Sequence, residues 1–304
     1  MCRFALYLGS PIALDTLITK PMNSIIHQSF HSHERKEPLN GDGFGVAWYV
    51  PELSPKPAVF RSITPAWNNA NLASLARVTV SECILAHVRA ASPGLPVTET
   101  NCHPFSHGRY AFMHNGAIGG FERVRRPLLQ SLTDEAFPVV QGTTDSELMF
   151  ALFLDHHRRL ACHDAADAMA MALEATILHV VQATERAGVT EPSYLNLAVT
   201  DGRRAVASRF TTGPLSEAAS LYVHEGKQYV CEEGVCRMVS PDVVRGAVLV
   251  CSEPLSEDPG WDPVPANHMV LVREDRSVAI RACTLSPPGA VTSDDTAGFA
   301  PLPG

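Results

Sequence analysis

Two long helical patterns interrupt an otherwise strand-rich chain, and this order of elements is what most restricts the fold. Apolar residues recur at helical spacing over residues 146–154 and again over 164–187, where Gly188 ends the second pattern. Short apolar runs bounded by turn residues precede and follow them. Strands, then helices, then further strands favour an α+β fold in which two sheets stack between helical layers.

The predicted strands fall into an N-terminal and a C-terminal group. The first group comprises residues 3–8, 44–49, 84–88 and 110–113, and the second comprises 194–200, 205–210, 221–224, 228–231, 247–250 and 268–272. The alternation within the first strand predicts that it is half-buried and ends at Gly9. The short, turn-separated runs of the second group are typical of an antiparallel meander.

The length and composition of the chain allow one large folded domain. It has 304 residues, of which 45% are hydrophobic and 18% are charged. A chain of this size buries roughly three-quarters of the surface that its unfolded form exposes. We therefore expect one domain over residues 2–285. Residues 286–304 contain Pro287, Pro288, Pro301 and Pro303, and we expect them to form a disordered tail.

Charge and hydropathy argue against two classes of partner. The formal net charge is −8, so the chain lacks the basic excess that nucleic acids and anionic membranes attract. No apolar run approaches the ~18 residues of a membrane span, and the run that ends at Gly9 lacks the cleavage site of a signal peptide. The eight cysteines show no paired framework, which predicts a soluble protein in a reducing, cytoplasmic compartment.

Histidines and cysteines do not follow the spacing of a metal site. The candidates are His27, His31, His33, His156, His157, Cys231 and Cys236. Their separations are too irregular for zinc ligands. We expect neither a bound metal nor a cofactor.

Cys2 is the strongest candidate for a catalytic residue. Removal of Met1 ahead of a small side chain would place a thiol and a free α-amine on the same residue. The α-amine, with an ordinary pKa of about 7.7–8.0, can take the thiol proton directly or through a water molecule. A second-position cysteine without a role is the alternative, which Cys2 alone does not exclude.

Three further segments offer groups that such a nucleophile needs. Asn115 and Gly116 follow a predicted strand and could donate side-chain and backbone N–H groups to an oxyanion, although Asn-Gly is also a common turn. Arg89 ends another strand and could bind a substrate carboxylate or be an exposed arginine. Asp145 stands at a helix start, where it either caps the helix or binds a ligand ammonium.

Six short motifs carry a resemblance to a known family. They are MCRF at 1–4, NGDGFG at 40–45, AHVRA at 86–90, NCHPF at 101–105, MHNG at 113–116 and GTTDSE at 142–147. Their order and spacing resemble those of class II glutamine amidotransferases, which are N-terminal-nucleophile hydrolases. SEPL at 252–255 extends the resemblance. The closest resemblance is to the small single-domain members, and ITPAWNN at 63–69 is shared with one of them, a subunit of a glutathione-degrading complex.

The resemblance implies both a fold and a set of roles. The fold would be a four-layer αββα sandwich with two stacked, mostly antiparallel sheets. Cys2 would be the nucleophile and its α-amine the base, and Asn115 and Gly116 would form the oxyanion hole. Arg89 would hold the α-carboxylate of the substrate, and Asp145 would hold its α-ammonium.

Four further residues match the family motifs without a derived chemical role. His87 and His103 match positions beside the substrate and are kept as candidate substrate-binding residues. No step requires either as a base, so we favour a structural interpretation of both. Asp42 and Gly43 belong to the NGDGFG motif, and no role for them follows from the sequence.

The expected activity is hydrolysis of a γ-glutamyl amide bond through a γ-glutamyl thioester, with glutamine or a γ-glutamyl peptide such as glutathione as substrate. The chain shows no P-loop and no phosphosugar-binding segment, so we expect no synthase within it. A glutaminase subunit that feeds ammonia to a separate synthase is one alternative, and a non-catalytic scaffold is another. The resemblance also implies a metallopeptidase-like or synthase protein partner.

Overall fold

Two stacked antiparallel sheets form the centre of this computed structural model, which describes residues 2–32, 34, 39–91, 94, 96–160, 165–232, 234–239 and 246–285. The expected tail at 286–304 lies outside the described residues. The strands are β1 (Arg3–Ala13), β2 (Phe44–Val50), β3 (Ser54–Ser62), β4 (Val80–Val88), β5 (Phe105–His107), β6 (Tyr110–Ala117), β7 (Tyr194–Thr200), β8 (Ala205–Arg209), β9 (Tyr222–Gly226), β10 (Gln228–Glu232), β11 (Val235–Val239), β12 (Ala247–Cys251), β13 (Trp261–Pro263), β14 (His268–Val272) and β15 (Val278–Ala282). The helices are α1 (Leu14–Ile18), α2 (Ile25–Gln28), α3 (Ala70–Val78), α4 (Phe121–Gln130), α5 (Asp145–Arg158) and α6 (Ala165–Arg186).

The two sheets lie between two layers of helices. Sheet A has the strand order β13-β9-β12-β1-β4-β2-β3, and sheet B has the order β15-β14-β8-β7-β6-β5. Helices α1 to α3 pack on the outer face of sheet A, and α4 to α6 pack on the outer face of sheet B. A third apolar core fills the space between the sheets. The expected αββα sandwich is confirmed.

The first strand, β1, is the central strand of sheet A. Alternate side chains such as Phe4 enter the core between the sheets, and those such as Tyr7 pack against the helices. The prediction of a half-buried strand is therefore wrong, because both faces of β1 are covered. The strand also continues past Gly9 to Ala13, since a change of register after Leu8 accommodates the turn residues within it.

The strands that follow α6 are divided between the sheets, so the prediction of one meander is wrong. Sheet B contains β7, β8, β14 and β15, whereas sheet A contains β9, β12 and β13. A separate hairpin is formed by β10 and β11. The apolar pattern located the strands, with β7 and β14 at their predicted bounds, but it does not encode which sheet each one joins. The pairing of β12 with β1 brings residues 252–255 beside the N-terminal end of the chain.

The two long helices agree with their predicted positions. α5 begins at Asp145, one residue before the predicted start, and α6 lies within the predicted 164–187. Both cover sheet B with apolar side chains. In the part of the chain that the structure describes, no helix is long and apolar enough to cross a membrane.

Two cysteines depart from the expectation that none is paired. Cys231 and Cys236 are partners in the register of the β10–β11 hairpin and form a disulfide. A count of cysteines could not indicate this pair, because it depends on the register of the hairpin between them.

Candidate active site

Cys2 lies at the N-terminal end of the central strand of sheet A. Its Sγ is 3.6 Å from the carbonyl oxygen of Ala90, which places the thiol beside the segment that contains Arg89. Burial raises the pKa of the Cys2 thiol, whereas the hydrogen bond to Ala90 and nearby positive charges, including that of Arg89, lower it by less. The thiol is therefore protonated at neutral pH and needs a base to become a nucleophile.

Arg89 is a buried cation with few partners. It is 3% exposed, so the alternative of an exposed strand-end arginine is wrong. Nη1 donates to the carbonyl oxygen of Asp42 and Nη2 to that of Pro96, both at 3.4 Å. Among the described residues, no Asp or Glu side chain forms an ion pair with it. Because a buried charge without a counter-charge is costly, this guanidinium is suited to bind a ligand carboxylate.

The NGDGFG turn holds the backbone on both sides of Arg89. The N–H of Arg89 donates to the carbonyl oxygen of Gly43 at 2.8 Å, and the N–H of Ala91 donates to Asp42 Oδ2 at 2.8 Å. Gly43 has φ +116°, and a Cβ atom there would lie 2.7 Å from Cys102 Sγ. Sequence reasoning found the motif but gave Asp42 and Gly43 no role, and the structure shows that they fix the Arg89 segment.

Asn115 and Gly116 lie within β6 (Tyr110–Ala117), which pairs with β7. Their alternative interpretation as a hairpin turn is therefore wrong. Asn115 is fully buried, its Oδ1 has no partner among the described residues, and its Nδ2 is 3.4 Å from Ser252 Oγ. Gly116 has φ +146°, and a Cβ atom there would lie 1.8 Å from the carbonyl oxygen of Tyr194, so only glycine fits.

Ser252 connects β1, the strand that follows Cys2, to Asn115. It follows β12, and its Oγ accepts the N–H of Phe4 at 3.0 Å. Its own N–H donates to the carbonyl oxygen of Phe4 at 3.0 Å. Because Phe4 is two residues from Cys2, the Asn115 amide in sheet B lies at the same end of the sandwich as the Cys2 thiol in sheet A.

Asp145 begins α5 next to the end of β6. Its Oδ2 accepts the N–H of Ile118 at 2.8 Å, and its Oδ1 accepts the N–H of Ser146 at 2.8 Å. The N-cap is Thr144, whose Oγ1 accepts the N–H of Glu147 at 3.2 Å, so the interpretation of Asp145 as the cap is wrong. The carboxylate of Asp145 is half-exposed and retains lone pairs for a ligand cation.

A buried asparagine ties the loop before Asp145 to the Arg89 side of the site. Asn101 accepts the N–H of Thr143 through Oδ1 at 2.9 Å and donates from Nδ2 to the carbonyl oxygen of Pro96 at 3.0 Å. That same carbonyl accepts from Arg89. The NCHPF and GTTDSE motifs therefore contact each other, although sequence reasoning assigned Asn101 no role.

His87 and His103 form a buried stacked pair with ring centroids 4.1 Å apart. His87 Nε2 donates to the carbonyl oxygen of His114 at 3.1 Å. Burial lowers the pKa of His87 to about 3 and lowers that of His103 well below its usual value. Both rings are therefore neutral and weakly basic at neutral pH, which fits the structural interpretation, and substrate binding by either stays a prediction.

The arrangement can hold an amino-acid head group and attack a carbonyl. One end of the sandwich carries a thiol just before β1, a buried guanidinium just after β4, a buried amide in β6 and a carboxylate in α5. Within the described residues, no group of three or more His, Cys, Asp or Glu side chains could hold a metal ion.

Comparisons with known proteins show what this chain is similar to. The family model for class II glutamine amidotransferases matches residues 18–293. A Saccharomyces cerevisiae protein named Probable glutamine amidotransferase DUG3 is 42% identical over 294 residues, which cover 90% of this chain and 82% of the yeast protein. A gamma-glutamyl-hercynylcysteine sulfoxide hydrolase of Mycolicibacterium smegmatis is 30% identical over 276 residues, which cover 90% of this chain and 96% of that protein.

Solved structures show the same fold. A glutamine aminotransferase class-II domain protein from Silicibacter pomeroyi superposes with a TM-score of 0.62 at 28% identity, covering 92% of this chain and 99% of that chain. The glutamine phosphoribosylpyrophosphate amidotransferase of B. subtilis superposes with a TM-score of 0.55 at 12% identity, covering 94% of this chain and 50% of that chain, and shows the fold alone. On these matches, the chain belongs to the class II glutamine amidotransferase family of enzymes.

Proposed function

We propose that this chain hydrolyses the γ-glutamyl amide bond of a small molecule, with Cys2 as the nucleophile. The observation that carries the proposal is the buried Arg89 guanidinium, which lies beside the Cys2 thiol without a carboxylate partner among the described residues. A γ-glutamyl compound has a free α-carboxylate for Arg89 and a free α-ammonium for Asp145. The γ-glutamyl compound named for the mycobacterial relative supports this substrate class.

Removal of Met1 first frees the α-amine of Cys2. In the proposed acylation step, this α-amine takes the thiol proton. The thiolate attacks the γ-carbonyl carbon, and Asn115 Nδ2 and the N–H of Gly116 donate to the oxyanion. The α-ammonium then returns the proton to the leaving amine as the C–N bond breaks. The products of this step are a free amine and a γ-glutamyl thioester on Cys2.

In the proposed deacylation step, the α-amine accepts a proton from a water molecule that attacks the thioester carbonyl. The same donors stabilise the second oxyanion. Collapse of this intermediate breaks the C–S bond, returns the proton to the thiolate and releases glutamate. His87 and His103 are disfavoured as the base, because burial lowers the pKa of both rings.

The leaving amine is proposed to be larger than ammonia. The mycobacterial relative is named for a substrate whose γ-glutamyl group is attached to a modified amino acid. The resemblance to single-domain family members, one of them a subunit of a glutathione-degrading complex, makes glutathione the first candidate. We further propose a cytoplasmic protein with one catalytic domain over residues 2–285, whose pocket is completed by a metallopeptidase-like partner.

A substrate panel tests the choice of leaving group. Purified protein that begins at Cys2 is incubated with glutamine, glutathione and other γ-glutamyl amino acids, alone and after pull-down from its own cell extract. We expect γ-glutamyl peptides to be cleaved faster than glutamine, with glutamate detected by mass spectrometry. The Cys2→Ala protein is the blank. Preference for glutamine in both states, together with a co-purifying synthase, would instead support the ammonia-donor alternative.

Replacement of Asn115 tests the oxyanion hole. Asn115→Ala is expected to lower kcat by about 10²–10³-fold with a much smaller change in KM, because one donor to the transition state is lost. Asn196→Ala is the matched control, since Asn196 is also buried, pairs with Asn115 across β6 and β7, and donates to main-chain carbonyls instead. A rise in KM at constant kcat in Asn115→Ala would show that the amide only supports the fold.

A further inference from the structure

The contacts of Ser252 go beyond what a strand end requires. It is 1% exposed and binds both main-chain groups of Phe4, in β1 of sheet A. Its Oγ also accepts from Asn115 Nδ2, which belongs to β6 of sheet B, at 3.4 Å. Completion of the β12–β1 pairing accounts for the contacts to Phe4, but it does not account for the contact to the opposite sheet.

In the structure, the NH₂ end of the Asn115 amide faces Ser252 Oγ. A hydroxyl oxygen has two lone pairs, and the main-chain N–H of Phe4 takes one of them. The second lone pair accepts from Nδ2 of Asn115, and Oδ1 of that amide is turned away from Ser252 without a partner among the described residues. The second hydrogen of Nδ2 has no other acceptor among the described residues, so it is available to an oxyanion.

We propose that Ser252 is a positioning residue for the reaction. Its hydroxyl holds the Asn115 amide with an N–H directed at the oxyanion, and it fixes the distance between that donor and the strand that carries Cys2. This inference rests on the proposed role of Asn115 in the oxyanion hole.

Two neighbouring residues hold Ser252 in place. Glu253 follows it, is equally buried, and pairs with Arg3 through an Nε–Oε1 distance of 2.7 Å. Arg3 Nη1 in turn donates to the carbonyl oxygen of Cys2 at 3.1 Å. On the other side, Ser220 Oγ donates to the carbonyl oxygen of Ser252 at 2.9 Å. Arg3 and Phe4, the two residues that follow Cys2, are therefore tied to Glu253 and Ser252.

Steady-state kinetics of Ser252→Ala test this role. We expect kcat to fall about 10- to 100-fold, less than the loss expected for complete removal of the donor, with KM changed by no more than about two-fold. Ser252→Thr keeps the hydroxyl and should recover most of the lost kcat. Ser252→Cys, assayed in reducing buffer, keeps the volume but accepts hydrogen bonds weakly, and it should behave like Ser252→Ala if the alanine variant does not fold.

Ser81→Ala is the matched control. Ser81 is a buried serine of sheet A whose Oγ also accepts a main-chain N–H, that of Tyr49 at 3.2 Å, but it lies at the opposite end of β4 from Arg89. The Ser81→Ala substitution should lower the thermal unfolding midpoint and leave kcat unchanged. Equal kcat values for the folded variants of Ser252 and Ser81 would overturn the proposal.

A double variant separates failure of this inference from failure of the proposed function. If Ser252 acts through Asn115, Ser252→Ala should lower kcat no further in an Asn115→Ala background. If the kcat losses of the two single variants multiply in the double variant, the positioning role of Ser252 is overturned while the oxyanion role of Asn115 stands. If Asn115→Ala alone leaves kcat unchanged, the oxyanion role of Asn115 is wrong and the positioning role of Ser252 falls with it, whereas hydrolysis by Cys2 is tested separately by Cys2→Ala.

Discussion

Cys2→Ala is expected to lower kcat roughly 10⁶-fold, on the scale that loss of a catalytic nucleophile reaches in other hydrolases. The variant should fold normally, because among the described residues the one hydrogen bond of the half-buried Cys2 side chain is a long one, to the Ala90 carbonyl oxygen. Rates of glutamate release and thermal unfolding midpoints of the two proteins check both statements. Cys283→Ala is the matched control, since Cys283 is also half-buried but follows β15 at the far end of the chain.

The α-amine is tested by moving it away from the thiol. Protein that retains Met1, or that carries an added N-terminal tag, should lose turnover as Cys2→Ala does, because the amine is then no longer on the residue that bears the nucleophile. Burial keeps the Cys2 thiol protonated at neutral pH, so a base cannot be dispensed with. Full activity in a tagged protein would show that a side-chain base takes the thiol proton in place of the α-amine.

Local sequence was sufficient to predict Arg89, Asn115 and Asp145 as candidate site residues. Each follows an apolar run or precedes a helical pattern, and each carries a functional group suited to an oxyanion or to an amino-acid head group. Their environments were not predictable in the same way. Burial of Arg89, which suits it to bind a carboxylate and rules out an exposed arginine, depends on the turn at 40–45, which lies more than 40 residues earlier.

Ser252 shows the limit of sequence reasoning more clearly. The hydrogen bond between Phe4 and Ser252 joins residues 248 positions apart, and it exists only because β12 pairs with β1. The same pairing separates β12 from the strands of sheet B, which the pattern of short apolar runs could not indicate. A motif such as SEPL can be noticed in the sequence, but its role follows from the sheet that its strand joins.

Substrate analogues without the α-carboxylate are expected to be rejected by about 10⁴- to 10⁵-fold in kcat/KM, because they leave the buried Arg89 guanidinium unpaired. The comparison is between a γ-glutamyl anilide and its α-carboxamide, with aniline release as the readout. Acylation of the α-amine of the substrate tests Asp145 in the same way. Equal rates on glutamine and N-acetylglutamine would remove Asp145 from the substrate site.

The Arg89→Ala variant tests whether this side chain causes the rejection of substrates without an α-carboxylate. With the parent anilide, the kcat/KM of Arg89→Ala should be as low as that of the unaltered enzyme with the α-carboxamide. With the α-carboxamide, the kcat/KM of Arg89→Ala should be little lower than that of the unaltered enzyme. Arg209→Ala is the matched control, because that guanidinium donates to the carbonyl oxygens of Ala218, Ala219 and Val264 at 2.6–3.1 Å and needs no ligand. Losses that multiply in Arg89→Ala would mean that the guanidinium supports the loop around Asp42 and Pro96, and that another group reads the carboxylate.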